Sequence, residues 1–154
     1  MKELIRLSTQ ADVGFVYARM RVEDVEECEA GGHTALDALD WGYVNSIVCK
    51  TLLDPHTGEA IALTGVSPSG YEGAGKVWLL GTPGIERNTV TFLRNSKQAL
   101  CELYDEAGCT VLYNYAHCNN KLHHRWLKWL GFSFLQRVEL TPRNFFFEFV
   151  RLKG

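Results

Sequence analysis

The feature that most constrains the fold of this chain is a strand, a long helix and a second strand in direct succession between residues 76 and 116. Lys76 to Leu80 is typical of a buried strand, and Cys109 to Ala116 is typical of the next one. One face of the helix between them is predicted to carry Leu93, Ser96, Leu100, Leu103 and Ala107. Because Gly108 favours a helix end and a right-handed crossover joins strands of one sheet, this unit predicts an α/β domain.

Residues 4 to 46, near the start of the chain, show mainly helical patterns. Leu4 to Leu7 predicts a first strand, and Asp12 to Gly31 mixes apolar and acidic residues at a spacing that predicts one or two helices. Thr34 to Ser46 predicts a further short helix, with Thr34 as its N-cap and Asp37 at its third position. The chain therefore begins with a strand followed by helices.

Two runs of β-branched and aliphatic residues precede the central unit. Ile47 to Leu53 and Glu59 to Val66 are separated by Asp54 to Gly58, whose Pro and Gly are typical of a turn. These runs predict a β-hairpin, and Ser67 to Gly75 predicts a loop into the next strand.

After the central unit, the sequence predicts one more helix and two strands. The helix begins near Asn120 and ends at Gly131. Its apolar face consists of Leu122, Trp126, Trp129 and Leu130. Phe132 to Leu140 and Phe145 to Leu152 predict two strands joined by a turn at residues 142 to 144.

Composition limits the kinds of protein this chain can be. Its 154 residues, 46% hydrophobic and 22% charged, predict one globular domain spanning residues 1–154. A net charge of −2 and a pI of about 6.2 argue against a nucleic-acid partner. Charges within the first twenty residues argue against a signal peptide, and no apolar run is long enough to span a bilayer.

The cysteines favour a reducing, cytoplasmic place of synthesis. The chain has five, an odd number, and no two of them form a CxxC pair. This pattern argues against both a disulfide framework and a zinc knuckle. His117-Cys118 and His123-His124 are metal-ligand residue types, but adjacent residues point in different directions, so no metal site is predicted.

The order of elements and one segment resemble the GNAT superfamily of acetyltransferases. Helices, a hairpin and then strand, helix, strand, helix and two strands are similar to the GNAT order. The segment from Asn120 to Gly131-Phe132 is similar to the last helix of that superfamily. The resemblance implies a mixed central sheet of about six or seven strands flanked by helices, and acetyl-CoA as a cofactor.

Shorter pieces resemble a narrower family, the small GNAT-like proteins of short-tailed bacteriophages. The pieces are Gly32-His33-Thr34 with Ala38-Leu39, Val77-Trp78-Leu79-Leu80, Phe92-Leu93-Arg94, and Arg125 to Phe132. Members of that family are associated with the virion interior or its assembly. The resemblance implies other virion proteins, or a second copy of the chain, as partners. It also implies the virion interior or the host cytoplasm as the location.

A GNAT enzyme holds the pyrophosphate of acetyl-CoA on a Gly-rich loop between a strand and a helix. The resemblance assigns that loop to Gly81 to Thr89, where the usual Arg or Gln and spaced glycines are missing. Pro83 removes a backbone donor there, and Glu86 adds a negative charge. The candidate cofactor-binding residues are Leu80, Gly81, Arg87, Asn88, Thr89 and Asn120. Asn120 also fits the N-cap of the last helix.

The same resemblance implies a general acid, commonly a tyrosine, four residues before Gly131, but that position is Leu127. Tyr113 and Tyr115 on the preceding strand can in principle replace it, and Tyr115 is the candidate kept, although aromatic residues that alternate on a strand more often serve packing. His117, just past a strand end, and Glu72, in the loop before the central strand, are candidates for a general base. All three catalytic assignments rest on placement.

Three successive rings, Phe145, Phe146 and Phe147, cannot all face one side of a strand. Most aromatic residues of the last helix and hairpin are expected to form a core. We expect Phe146 to face outward or to cover a neighbouring layer, as an exposed apolar feature suited to a protein partner.

Two functions remain open at this point. The first is a phage-encoded GNAT-fold protein that acts by binding, as an internal virion or assembly component, and it is favoured by the altered loop and by Leu127. The second is an acetyl-CoA-dependent N-acetyltransferase with an atypical loop, favoured by the element order and Asn120. An enzyme needs an open cleft between the central strands, whereas an assembly protein can fill it with side chains such as Tyr115 or Trp78.

Overall fold

The computed structural model describes residues 3–154, which form seven strands and six helices. The strands are β1 (Ile5–Leu7), β2 (Val48–Leu53), β3 (Ala60–Pro68), β4 (Ala74–Gly81), β5 (Val111–His117), β6 (Ser133–Thr141) and β7 (Asn144–Leu152). The helices are α1 (Gln10–Tyr17), α2 (Val22–Ala30), α3 (Ala35–Asn45), α4 (Gly84–Arg87), α5 (Thr89–Ala107) and α6 (Lys121–Trp129).

All seven strands belong to one sheet, in the order β1-β2-β3-β4-β5-β7-β6. β4 and β5 run parallel, whereas the other neighbouring strands are antiparallel. The parallel pair is the predicted strand–helix–strand unit, with α5 as its crossover. A mixed seven-stranded sheet flanked by helices confirms the predicted fold class.

The sheet opens between its two central strands. β4 and β5 pair over only three residues each, and the last pair is Lys76 with Tyr113. Just beyond it, the Asn114 side-chain amide donates to the Val77 carbonyl oxygen at 3.0 Å. Further on, β4 stays paired with β3 and β5 stays paired with β7, so the carboxyl ends of the two central strands diverge. We call the space between these ends the central gap.

Helices cover both faces of the sheet. α5 and α6 pack on one face, where Leu127 is fully buried, and α1 and α3 pack on the other, where Leu39 is fully buried. Because side chains alternate along β4, Leu79 enters the first core and Trp78 the second. None of the helices in residues 3–154 has the length and apolarity needed to cross a bilayer.

Caps at the helix ends agree with the sequence patterns. Thr34 caps α3, since its hydroxyl accepts from the Asp37 backbone N–H at 3.1 Å. Thr9 and Asp12 form a capping box at α1. Gly108 follows α5 with a φ of 68°, a conformation that glycine adopts without steric cost. The start of α3 and the end of α5 therefore lie where the sequence predicts, and α1 begins close to its predicted start.

A short helix, α4, lies in the segment that the sequence predicts as a loop. It follows Pro83, whose restricted φ suits the first turn of a helix, and it buries the side chain of Ile85. Asn88 stands at the N-cap position of α5, but its side chain donates to Asp54 and to the Gly84 carbonyl and does not cap the helix. The expected phosphate loop is thus a folded turn of helix.

The prediction that Phe146 covers a neighbouring layer is confirmed, whereas the prediction that it is an exposed apolar feature is wrong. Its side chain is only 3% exposed, and its ring packs on the His117 ring with centroids 5.2 Å apart. The ring covers the end of α2, close to Gly31. The half-exposed rings of this run are Phe145 and Phe147, which lie on the opposite face of β7.

Candidate binding cleft and the closed end of the central gap

The start of α2 lies against the carboxyl end of β4, at the edge of the central gap. In a strand, both backbone polar groups of one residue point to the same side, and alternate residues share that side. Since the Val77 carbonyl points towards β5, so do the polar groups of Gly81. The Gly81 N–H donates to Asp24 Oδ2 at 2.9 Å, and its carbonyl accepts from the Arg21 N–H at 2.9 Å. α2 thus takes the place of a strand partner for β4.

Asp24 joins both sides of the central gap. Its side chain is buried, and its Oδ1 accepts from Asn120 Nδ2 at 3.0 Å and from Arg21 Nη1 at 2.8 Å. Burial raises the pKa of Asp24, although the charge of Arg21 opposes that shift. This carboxyl group therefore connects α2 to β4 and to the residue that precedes α6.

Glu27, one turn later, fills the adjacent part of the gap. Its Oε2 accepts from the His117 backbone N–H at 2.7 Å and lies 3.1 Å from His123 Nδ1. Burial disfavours the charged form of both side chains, but the charge of each partner outweighs it. The pKa of Glu27 is therefore lowered and the pKa of His123 is raised. Both shifts favour an imidazolium–carboxylate ion pair.

Asn120 lies between these two carboxyl groups and is 1% exposed. Its Nδ2 donates to Asp24 and lies 3.5 Å from Glu27 Oε2. Its Oδ1 is buried without a hydrogen-bond partner among the described residues. Asn120 stands at the N-cap position of α6, as predicted, but its side chain makes no capping hydrogen bond because the amide is turned towards α2.

Arg21 holds the start of α2 beneath α4. Its buried guanidinium contacts three carboxylates, those of Asp24, Glu23 (3.0 Å) and Glu86 (3.2 Å). Burial lowers the pKa of Arg21, but these negative charges outweigh it, so the pKa is raised. Glu86, the residue whose charge opposes a phosphate in the predicted loop, is thus bound to an arginine of the same chain.

The backbone amides of the predicted pyrophosphate loop between Thr82 and Asn88 are bonded within the chain. The Thr82 N–H donates to the Ile61 carbonyl at 2.9 Å, and the Gly84 N–H donates to Thr82 Oγ1 at 3.2 Å. The next four amides donate to carbonyls of residues 82 to 84; they belong to Ile85, Glu86, Arg87 and Asn88. A phosphate needs several N–H groups that converge on it, and this segment directs them into its own turns.

The candidate cofactor-binding residues therefore lie in different environments. Leu80 is buried on the face of α1 and α3, while Gly81 is bonded to α2. Arg87 and Thr89 are exposed, and the Thr89 hydroxyl donates to the Glu86 carbonyl at 3.0 Å. In this arrangement the residues do not fit acetyl-CoA, since the phosphate donors turn inward and α2 carboxyl groups occupy the gap.

An open cleft of about 910 Å³ lies beside the closed end of the gap, against α3. Its aromatic lining consists of Trp41, Trp78, Tyr115, Phe146 and Phe149. The Glu27–His123 pair also lines it, as do Asp37, Asp40 and Val44 of α3 and Leu140 of β6. The volume falls within the range of small-molecule and cofactor sites.

Trp78 forms a rigid wall of this cleft. Its ring packs on Gly42 and Gly65, where an added Cβ would come within 2.8 Å and 2.9 Å of it. Its indole N–H donates to Ser46 Oγ at 2.9 Å. The expectation that Trp78 can fill the cleft is therefore met only in part, because the ring lies flat against two glycines and leaves the cleft open.

The structure brings two of the three candidate catalytic residues towards the gap. Tyr115 lines the cleft, its hydroxyl donates to Glu148 at 3.4 Å, and burial raises its pKa. His117 ends β5, and its backbone N–H contacts Glu27. Glu72 lies in the exposed loop before β4 and does not line the cleft.

The sequence patterns do not single out the α2 side chains that close the gap. Asp24 and Glu27 are three residues apart, which places them on one helical face. The same helix also carries Glu23, Glu26 and Glu29, so a solvated acidic face explains the pattern equally well. Only the tertiary contacts distinguish the two buried acids from the exposed ones.

His123 and His124 do point in different directions, as expected of neighbours on a helix. His123 faces Glu27, whereas His124 Nε2 lies 2.8 Å from the His117 carbonyl oxygen. Within residues 3–154, no three His, Cys, Asp or Glu side chains converge as a metal site would require.

No protein-family model matches this chain, and no curated protein sequence matches it. Solved structures do match. A GNAT-family acetyltransferase from Bacillus anthracis aligns with a TM-score of 0.70 at 8% identity, over 99% of this chain and 96% of that one. The ribosomal-protein-S5-alanine acetyltransferase from Vibrio fischeri aligns with a TM-score of 0.70 at 12% identity, over 100% and 96%.

A third structure is that of AAC(6')-Ib in complex with ribostamycin and coenzyme A. It aligns with a TM-score of 0.69 at 17% identity, over 97% of this chain and 92% of that one. Identities this low establish the fold alone. The chain therefore has the GNAT acetyltransferase fold along nearly its whole length, as the sequence resemblance implies.

Proposed function

We propose that this chain is a phage-encoded protein of GNAT fold that acts by binding, inside the virion or during its assembly, without transferring acetyl groups. The observation that carries the proposal is the occupation of the central gap by Asp24 and Glu27 of α2. The phage role is supported by the resemblance of short sequence pieces to small proteins of short-tailed phages. The proposed partners are other virion proteins or a second copy, and the proposed location is the virion interior or the host cytoplasm.

Opening the gap to a cofactor is costly because its occupants are buried and bonded. Moving Asp24 away leaves the Gly81 N–H without an acceptor and leaves the Asn120 amide only its 3.5 Å contact with Glu27, and Arg21 loses one of its three carboxylates. Each buried polar group left unsatisfied costs about 1–3 kcal/mol. The cofactor would have to offset this cost while finding few free donors at α4.

The second candidate function is an acetyl-CoA-dependent N-acetyltransferase. It is favoured by the solved structures of the same fold, since two of the three named above are acetyltransferases and the third is a complex with coenzyme A. The Glu27–His123 pair at the cleft would then supply an acid or a base for the acceptor. This function requires α2 to withdraw from Gly81.

Calorimetric titration with acetyl-CoA, and with CoA as a second ligand, distinguishes the two functions. We expect no binding heat up to about 1 mM, which corresponds to a binding free energy weaker than about −4 kcal/mol. A micromolar Kd that Arg87→Ala weakens would overturn the binding proposal and assign the phosphates to α4. A micromolar Kd unaffected by Arg87→Ala would also overturn it, and would exclude Arg87 from the cofactor site.

The assembly role has its own test. Mass spectrometry of purified particles of the phage that encodes this sequence should detect the chain at a fixed ratio to the capsid protein. Its absence from both mature particles and assembly intermediates would contradict a role in the virion.

A further inference from the structure

We infer that the cleft beside α3 docks a polypeptide segment that carries a large apolar side chain next to one or two basic residues. The inference rests on the proposed binding function and names the chemistry of the partner. It is drawn from the exposed apolar side chains at the cleft, from the charges beside them and from the aromatic interior.

Large apolar side chains stand exposed where the cleft meets the surface. Trp41 is 55% exposed and Val44 is 65% exposed, and both line the cleft from α3. Leu140 of β6 lines it as well and is 45% exposed. Apolar side chains that continue into a cleft in this way are typical of a surface that contacts another chain.

The charge at this side of the cleft is negative. Asp37 and Asp40 are exposed, line the cleft and make no salt bridge with any described residue. Of the other charged groups in the lining, Glu27 and His123 neutralise each other, and Lys76 of β4 offsets one of the two carboxylate charges, so the lining remains net negative. A partner that approaches α3 therefore meets two carboxylates, which attract basic residues and repel acidic ones.

The interior of the cleft suits a large apolar or aromatic anchor. Trp78, Tyr115 and Phe146 offer ring surfaces, and the Trp78 ring is held in place by Ser46. Rings of this kind pack against aromatic or aliphatic side chains and also attract cations. A two-fold pairing of this face with itself would bring Asp37 and Asp40 of both copies together, so like charges disfavour a second copy.

The four tryptophans provide a direct test, because two lie at the cleft and two lie elsewhere. Trp41 and Trp78 line the cleft. Trp126 donates to Ser96 in the core, and the ring of Trp129, on α6, lies under the ammonium group of Lys97, on α5. The probes are the N-acetylated tetrapeptides Lys-Lys-Trp-Leu and Glu-Glu-Trp-Leu, added to ¹⁵N-labelled protein. We expect the basic peptide to shift the indole N–H resonances of Trp41 and Trp78 only. We expect the acidic peptide to bind at least about tenfold more weakly.

Variants distinguish docking at the cleft from nonspecific binding of the peptide elsewhere on the surface. Trp41→Ala should weaken the basic peptide about tenfold, as expected for an anchor residue, and Asp37→Asn with Asp40→Asn should remove its advantage over the acidic peptide. The matched control is Trp129→Ala, since Trp129 is 49% exposed, and it should leave the affinity unchanged. Equal affinity for both peptides, or an unchanged affinity in Trp41→Ala, would overturn the inference.

Three further outcomes are distinguishable. A concentration-dependent dimer that Trp41→Ala dissociates in analytical ultracentrifugation would overturn the inference in favour of a second copy. If the basic peptide failed to bind and acetyl-CoA also failed to bind, the inferred chemistry of the partner segment would be overturned, but the proposed binding function would not. Micromolar acetyl-CoA binding would overturn the proposed function on which the inference rests.

Discussion

Two regions meet at the central gap, and they differ in whether side chains fill the space beside the diverging strands. At the end of β4, charged and polar side chains from α2 and α6 are buried and bonded to each other, and the gap is closed. Beside α3, aromatic and apolar side chains leave a cleft open to solvent. The divergence of β4 and β5 by itself determines neither the closed end nor the open cleft. What a GNAT sheet can bind therefore depends on the side chains that enter the gap, and the strand order alone does not decide it.

Substitutions at the closed end should lower the folding stability more than substitutions at the cleft. Buried ion pairs add little net stability compared with apolar packing, but removal of one partner leaves an uncompensated charge. The open cleft places its carboxylates at the surface, where single substitutions cost little. We therefore expect substitutions at the closed end to change folding stability and substitutions at the cleft to change binding.

The largest expected effect comes from Phe149, which belongs to both regions. Its ring is 2% exposed, lines the cleft, and packs on Phe132 and His123 with centroids 5.2 Å and 6.1 Å away. Phe149→Ala should lower the free energy of unfolding by about 3–5 kcal/mol, because it leaves a cavity where the two regions join. Urea denaturation followed by tryptophan fluorescence measures this loss.

The matched control for Phe149→Ala lies on the same strand. Leu152 is 69% exposed, and Leu152→Ala should change the free energy of unfolding by less than about 0.5 kcal/mol. If the two variants lost similar stability, Phe149 would not be the packed boundary between the closed end and the cleft.

Asp24→Ala should give the next largest loss, and it affects only the closed end. Arg21 keeps Glu23 and Glu86, so we expect about 3 kcal/mol, the lower end of the cost of breaking a buried pair. Equilibrium unfolding in urea measures it. Glu23→Gln is the control, since that side chain is 45% exposed and should cost less than about 1 kcal/mol. Equal losses would mean that Arg21 is held at the surface and that Asp24 does not close the gap.

Local patterns predict the elements well because they depend on neighbours in sequence. The apolar face of α5, the cap at Thr34 and the hairpin of β2 and β3 follow from spacings of a few residues. The long strand–helix–strand unit also fixes the parallel pair, because a crossover of that length has one common hand. Hence the mixed sheet and its flanking helices are predictable from the sequence.

The closed end is not predictable in this way because its contacts are distant in sequence. Asp24 is 57 residues from Gly81 and 96 residues from Asn120. The turn of helix at α4 likewise depends on contacts outside the loop, such as the buried side chain of Ile85. For the rings at Phe145 to Phe147, alternation predicts that they cannot share a face, but only the position of α2 decides that Phe146 is the covered one.

The Glu27–His123 pair should make stability depend on pH, with an effect of about 2 kcal/mol, typical of a hydrogen bond between charged groups. The raised pKa of His123 means that its contribution is complete below its ordinary value of 6.5 and is lost as pH rises through the higher folded pKa. The lowered pKa of Glu27 means that its contribution is complete above 4.5 and is lost as pH falls through the lower folded pKa. The pair therefore contributes most between about pH 4.5 and 6.5.

Urea denaturation of the wild type and His123→Gln at a series of pH values from 5.5 upwards measures this dependence, since the raised pKa of His123 lies above its ordinary value of 6.5. The stability difference between the two proteins should shrink as pH rises. The pKa values of Asp24, Glu27 and His124 also depend on the charge of His123, so the difference reports His123 together with its effect on these three neighbours. A difference that stays constant with pH would show that His123 is neutral in the fold and that no ion pair fills this part of the gap.

Glu86→Gln should have the smallest effect, and it tests whether α4 helps to close the gap. Glu86 is 56% exposed, and its carboxylate is one of three around Arg21, so we expect a loss of about 0.5 kcal/mol that decreases in 1 M salt. Thermal unfolding at low and high salt measures it. A loss as large as that of Asp24→Ala would mean that α4, and not α2, holds Arg21 in the gap. The closed end would then depend mainly on α4, the segment that replaces the phosphate loop. The main difference between the closed end and the cleft would be the structure of that segment, and the charge of the α2 side chains would be secondary.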